Sequence, residues 1–284
     1  YFKDISLKCN NTNCLYSREF FQYQQEYCIS QKTYITNESF IIINENIPVA
    51  ASLFILYKPS DHDKQVSFGH YFPGILIITD DINKNSLNLL KDKIDSLLES
   101  SDKVIFTIPE FIRLNKGYSS ILNRYNFIQD ISWTTSILTQ IDTNLLWSNI
   151  RRRYKSAINR GLREQEFKII DHNNLNLESF KNIENFHTEI SGRKTRSTKT
   201  WEIQYDLIKK DKGFAITSFD KKSNNLNCAV YFHKSNEHAF YGTGLFSSQS
   251  KKKLYSYSII WKSILYCKQT NTPICELDHN IKFK

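Results

Sequence analysis

The sequence predicts an α/β (α+β) protein built from two mixed, mainly antiparallel sheets in tandem, each flanked by helices. Three observations predict it. The same order of elements occurs twice, an antiparallel hairpin or meander followed by a strand–helix–strand crossover. Turn residues punctuate the apolar runs where a meander needs them. The 284 residues are 40% hydrophobic, enough to fill two cores of ordinary size. A boundary near Ile141 to Leu145 gives domains over 1–143 and 144–284. The duplication is architectural, without a residue-level repeat.

In the first half an aromatic-rich stretch at 16–28 reads as a helix. A hairpin follows: Phe40-Ile-Ile-Ile43, a turn at Asn44-Glu45-Asn46, and a return strand over 48–57. Residues 66–78 form a strand that Pro73-Gly74 interrupts. Leu87, Leu90, Ile94, Leu97 and Leu98 recur at helical spacing in 85–100, and 103–108 is a short buried strand. A helix at 117–125 and a strand pair or bent strand at 127–140 complete this half.

The second half opens on a helix over 144–166, with Ile150, Tyr154, Ile158 and Leu162 in one stripe. A strand at 167–170 and a helix at 177–190 come next, then a loop at 191–200 and a helix at 201–210. Strands at 214–219, 226–232 and 238–246 form the meander, and a helix at 255–267 leads to a strand at 273–277.

Composition removes several classes. No apolar run approaches the roughly 20 residues of a membrane span, and nothing is of low complexity. Residues 1–10 lack the apolar core of a signal peptide, and the six cysteines form neither a CxxC pair nor a zinc spacing, so a reduced, cytoplasmic chain without a metal is expected. Abundant Asn, Ile and Lys with few Gly and Pro suggest an AT-rich bacterial genome. Methionine is absent even at position 1, so either the chain begins inside its gene product or methionine positions are missing from it. A net charge of +9 favours a polyanionic partner: a nucleotide, a coenzyme phosphate or tRNA.

The cations are concentrated. Arg151, Arg152, Arg153, Lys155, Arg160 and Arg163 share one helix with no carboxylate among them, which suits phosphates, although arginines solvated or paired elsewhere would look the same. Arg193, Lys194, Arg196 and Lys199 lie with hydroxyls just before a helix, an anion-binding arrangement bounded by His187, Glu189 and Trp201. His187 or Glu189 could serve as a general base if it faces a cleft, though either alone is equally an ordinary surface residue. Tyr241-Gly-Thr-Gly244 with Lys251 to Lys253 could place a pyrophosphate at the following helix start, but GxG is a weak signal. P-loop, GxSxG and HExxH motifs are missing, which removes NTPase, serine hydrolase and zinc hydrolase readings.

Leu146-Trp-Ser-Asn-Ile-Arg-Arg-Arg-Tyr-Lys-Ser-Ala-Ile-Asn-Arg-Gly161, Gly192-Arg-Lys-Thr-Arg-Ser-Thr-Lys-Thr-Trp201, Ala239-Phe-Tyr-Gly242, Ser258-Ile-Ile-Trp-Lys-Ser-Ile264 and Glu276-Leu277 together resemble the FemAB-type branch of the GNAT acyltransferases. The resemblance implies two GNAT-like domains with substrate in the cleft between them. It also implies transfer of an acyl or aminoacyl group, from acyl-CoA or aminoacyl-tRNA as co-substrate, to an amine on a cell-wall or polysaccharide precursor, a sugar or peptide acceptor. No tightly bound cofactor is implied. The usual coenzyme A loop, Q/R-x-x-G-x-G/A, is absent between Phe246 and Tyr255, which leaves both donors open.

The roles that follow give Arg152, Arg153 and Arg160 to phosphates, Arg193, Arg196 and Lys199 to the anionic part of donor or acceptor, Trp201 to packing the acceptor, Glu189 or His187 to proton removal, and Tyr241 to orientation or proton donation. Two other readings use the same residues: a non-catalytic scaffold binding a nucleotide sugar or nucleic acid, and a protein held peripherally on a membrane by its basic helix.

Overall fold

The computed structural model describes residues 14–30, 34–58, 65–67, 74–107, 116–125 and 135–277. The chain divides into two compact units, Tyr1–Thr12 with Tyr16–Ile131, and Asn13–Leu15 with Ser132–Lys284.

The first unit starts with α1 (Arg18–Ser30), which buries Phe20, Phe21, Tyr23, Gln24 and Cys28. Then come β1 (Tyr34–Asn37), β2 (Phe40–Asn44), β3 (Ile47–Leu53), β4 (Ile55–Lys58), β5 (Gln65–Ser67), β6 (Gly74–Ile78), α2 (Lys84–Glu99), β7 (Lys103–Val104), β8 (Phe106–Thr107) and α3 (Lys116–Tyr125). The strands form two four-stranded sheets, ordered β1-β4-β5-β7 and β2-β3-β6-β8. Each position in one sheet is the chain neighbour of the same position in the other. Both sheets are antiparallel except for the parallel last pair in each.

Ser39 ties the β1–β2 junction to the β3–β4 junction. Its hydroxyl accepts from the Phe54 N–H (3.0 Å) and donates to the Phe54 carbonyl (3.3 Å). Phe54, fully buried, stacks on Phe40 and meets the edge of Phe106. The expected hairpin turn is there, with positive φ at Glu45 and Asn46 as a tight two-residue connection requires. Leu90, Ile94, Tyr118 and Ile121 of α2 and α3 cover Ile42, Val49, Ala50, Leu76 and Ile78.

The second unit contains β9 (Thr135–Leu138), α4 (Thr143–Ser148), α5 (Arg152–Glu164), β10 (Gln165–Ile170), α6 (Leu177–Ser191), α7 (Thr198–Lys209), β11 (Gly213–Asp220), β12 (Leu226–Lys234), β13 (His238–Phe246), α8 (Ser248–Lys253), α9 (Ser256–Gln269) and β14 (Ile274–Leu277). Its six strands run in the order β10-β11-β12-β13-β14-β9, and only β13 and β14 are parallel. Alternate residues of β11 and β12 face opposite layers. Phe214, Ile216, Val230 and Phe232 meet Ile158 of α5 and Ile259 of α9. Ala215, Ala229 and Tyr231 meet Phe180 and Ile183 of α6 and Trp201 and Ile208 of α7.

Four details differ from the patterning. β9, read from the sequence as the end of the first half, pairs with β14 in the second unit. The single helix expected over 144–166 is two, because Arg151 is extended (φ −57°, ψ 140°). The break lets Trp147 pack on Trp261 (5.3 Å between ring centroids) while Ile158 and Leu162 keep the same core. The helix expected from Trp201 begins at Thr198, so Lys199 is helical. The Ser/Lys loop before α9 is largely the short helix α8. Among the described residues no helix is long and apolar enough to cross a membrane.

α5 and α9 approach closely because Gly161 lies at their crossing. A Cβ there would collide with the Ser258 hydroxyl and sit 2.5 Å from its Cβ. Gly161→Ala should destabilise the protein by roughly 1–3 kcal/mol through overpacking, measured by denaturant unfolding, and adding Ser258→Gly should recover part of the loss.

Candidate functional site

The second unit's sheet opens along one line. β13 pairs with β12 over most of its length, but with β14 only at His238, Ala239 and Phe240, opposite Ile274, Cys275 and Glu276. From Gly242 to Phe246 no described residue pairs with that edge, where backbone N–H and C=O groups could meet an extended ligand. The β12–β13 register slips between Tyr231 and Phe232, leaving Gly242 as the extra residue of a bulge that re-aims the strand. Glycine is required there, because a Cβ would lie 2.8 Å from the His233 ring. Gly244 leaves room for the Tyr241 phenol, whose Cζ would be 2.7 Å from a Cβ.

Below the opening the paired ends are pinned by a buried chain. His238 Nε2 lies 2.8 Å from Glu276 Oε2, and His238 Nδ1 lies 3.2 Å from Cys14 Sγ. Burial, then the Glu276 charge, pushes the Cys14 thiol well above its usual range. The chain therefore holds a structural thiol, protonated at neutral pH.

On the α6 and α7 side of β13 is a buried polar cluster. Arg196, 4% exposed, lies 3.5 Å over the Trp201 ring and donates from Nη2 to Gln204 Oε1 (3.0 Å). Gln204 Nε2 in turn reaches Thr243 Oγ1 (3.5 Å), on β13 beyond the parting. His187 sets its ring edge against Trp201 and lies 3.4 Å from Thr195 Oγ1. Burial, and secondarily the Arg196 charge, lowers His187 to about 4 and His233 to about 3. Both imidazoles are neutral at pH 7.

The residues singled out in the sequence fall into separate places. Trp201 is a core residue, packed on Phe180 as well as beneath Arg196. Glu189 is exposed and lies two residues beyond His187, roughly 200° around α6 from it. Tyr241 belongs to the opposite face, against Phe232, so His187, Glu189 and Tyr241 do not form one catalytic group. Arg193 is exposed beside the left-handed Gly192, and exposed Lys199 pairs with Glu202 (3.3 Å). Gln204, Thr243 and His233 carried no sequence signal, since only the β13 bulge and the tilt of α7 bring them near Arg196.

The basic helix α5 has two unlike ends. Arg151, Arg152 and Arg153 are exposed at its start, where positive charge opposes the macrodipole at about 0.3–1 kcal/mol each. Arg153 covers Tyr154. At the other end, about 12 Å from Arg152 to Arg160, the Glu164 carboxylate is held below its usual range by the Tyr255 hydroxyl and then by Lys253 and Arg160. Lys251 to Lys253 close α8 there. At the start of α9 the N–H groups of Tyr255, Tyr257 and Ser258 already bond the carbonyls of Ser250, Leu254 and Tyr255. A pyrophosphate at that helix start would have to displace them.

No family model matches the chain, and no curated protein matches it in sequence. Solved structures match it in shape. FemX is 11% identical, with a TM-score of 0.62 over 100% of this chain and 89% of its own. L-PGS from Bacillus licheniformis is 9% identical, with a TM-score of 0.57 over 99% of this chain and 78% of its own. A tandem GNAT protein from the clavulanic acid biosynthesis pathway is 9% identical, with a TM-score of 0.51 over 88% of this chain and 76% of its own. The chain shares its fold with these structures, one of them a tandem GNAT protein.

The two neutral histidines make stability depend on pH. Their folded pKa values lie below the unfolded value near 6.5, so the unfolded chain binds protons first and stability falls as pH drops from about 6.5 toward 4. His233→Gln should flatten that fall in unfolding measured at stepped pH, and Arg196→Met should raise both imidazole pKa values by NMR.

Proposed function

We propose that this protein is a FemAB-like GNAT acyltransferase, moving an acyl or aminoacyl group from an activated ester or thioester to an amine on a cell-wall or polysaccharide precursor. The observation that supports this reading is the end of β13–β14 pairing at Phe240, past which no described residue pairs with the β13 edge from Gly242 toward a basic corner. In the reaction the amine nitrogen attacks the carbonyl carbon. The C–N bond forms, the C–O or C–S bond breaks with its electron pair on the leaving group, and the amine loses one proton.

The strand edge beyond Phe240 would hold the donor's chain and aim backbone N–H groups at its carbonyl oxygen. Tyr241, the first residue past the pairing, orients the carbonyl or protonates the leaving group. Arg160, Lys251 and Lys252 take donor phosphates, whereas Arg152 and Arg153 lie at the far end of α5. On the other face Arg193 and Lys199 would meet the acceptor's anionic part, over a floor set by Arg196 and Trp201. His187 and Glu189 lie on the other face from Tyr241, so the amine proton passes to the departing oxygen or sulfur, or to solvent, rather than to either of them. Because the α9 amides are already bonded, side-chain cations must hold the phosphates, which favours aminoacyl-tRNA over acyl-CoA.

Calorimetry with acetyl-CoA, free CoA and an aminoacyl-tRNA pool tests the donor, followed by transfer of labelled acyl group to an amine. Binding of charged tRNA with transfer is expected; binding of none would leave a non-catalytic scaffold. Tyr241→Phe should lower kcat roughly 100-fold with donor affinity unchanged, and Arg160→Ala with Lys251→Ala should weaken donor binding and its salt dependence.

A further inference from the structure

The far end of α5 has features that donor binding leaves unused. Between Thr139 and Arg163 the chain carries Arg151, Arg152, Arg153, Lys155, Arg160 and Arg163 against one carboxylate, Asp142. Asp142 is occupied in capping α4, accepting from the N–H groups of Asn144 (2.8 Å) and Leu145 (3.1 Å). Lys155 is also occupied, donating to the Ser148 carbonyl (3.0 Å) and lying over Trp147. The Arg151 and Arg152 side chains form no hydrogen bond or ion pair among the described residues, and both are exposed.

Two apolar side chains of the same stretch are exposed, Ile141 at 36% and Leu145 at 50%. Their presentation is rigid. Lys268 donates to the carbonyls of Thr139 (3.3 Å), Gln140 (3.4 Å) and Ile141 (2.7 Å), which fixes the turn before α4. Trp147 is packed on Trp261, and Tyr154 on Tyr257 at 4.7 Å, which fixes α4 and α5 against α9.

Exposed apolar side chains and uncompensated arginines within one stretch of a dozen residues complement an interface with an apolar layer under a negative surface. We propose that this end of the second unit docks onto an anionic lipid bilayer, with Ile141 and Leu145 entering the headgroup–acyl boundary and Arg151 and Arg152 on the lipid phosphates. A nucleic acid would engage the arginines but leave Ile141 and Leu145 facing water, so the bilayer accounts for more of the surface. The inference goes beyond the transfer reaction and does not rest on it.

Vesicle flotation tests it, with phosphatidylcholine alone and with phosphatidylcholine mixed with phosphatidylglycerol, at low and high salt. Binding to the mixed vesicles only, weakened by salt, is expected. Arg151→Gln with Arg152→Gln should reduce it roughly 25-fold, about fivefold for each arginine. Ile141→Ser with Leu145→Ser should reduce it roughly tenfold, while leaving donor binding by calorimetry as in the parent. Equal binding to both vesicle types overturns the proposal, as does parental vesicle binding in either double variant. Loss of tRNA binding in the arginine variant, with no vesicle binding by the parent, assigns the surface to nucleic acid and overturns it too.

Discussion

The arrangement of the second unit depends on how far β13 and β14 stay together. Three residue pairs join them, and the buried Cys14, His238 and Glu276 chain pins those pairs from the side. Past Phe240 the bulge at Gly242 turns β13, and the His233 ring fills the space a side chain would need. A continuous ladder would seal the sheet. Among the described residues the ladder stops at Phe240, which in the proposed reading would give a ligand access to strand backbone between the α5 and α9 layer and the α6 and α7 layer.

Those layers treat charge differently. Under α6 and α7 a guanidinium is buried on Trp201 with two imidazoles nearby that desolvation and that cation keep neutral. Such a cluster is stabilising only while its donors and acceptors stay matched, which makes it a positioning framework more than a mobile contact surface. On α5 and α8 the cations face water, where each pair contributes little to stability and charge acts mainly on partners. Arg151, Arg152 and Arg153 even sit at the unfavourable end of a helix dipole, a local cost that an anionic partner would offset.

The proposed donor end and docking end of α5 are separated by the length of the helix, whose later turns pack on the start of α9. Glu164, Lys253 and Tyr255 lock one end to the start of α9. Trp147 and Trp261, with Lys268 on the 139–141 carbonyls, hold α4 and the turn before it against the later part of α9. One basic stripe would therefore serve two places on the unit.

The tandem mixed sheets, the meander of β11 to β13, the hairpin turn at Glu45-Asn46 and the amphipathic helices were legible in the sequence, because periodicity and turn chemistry are local. So was the concentration of cations on α5. The tertiary structure alone decided which sheet takes β9, since four residues of strand pattern carry no address, and where the long helix breaks, since that depends on how Trp147 fits Trp261. It also separated His187 and Glu189 from Tyr241, because a strand puts successive side chains on opposite faces and a helix turns about 100° per residue. The sequence by itself determined what chemistry is present and in which elements. Only long-range pairing and packing decided which of those groups share a face, which are buried neutral, and where the sheet opens.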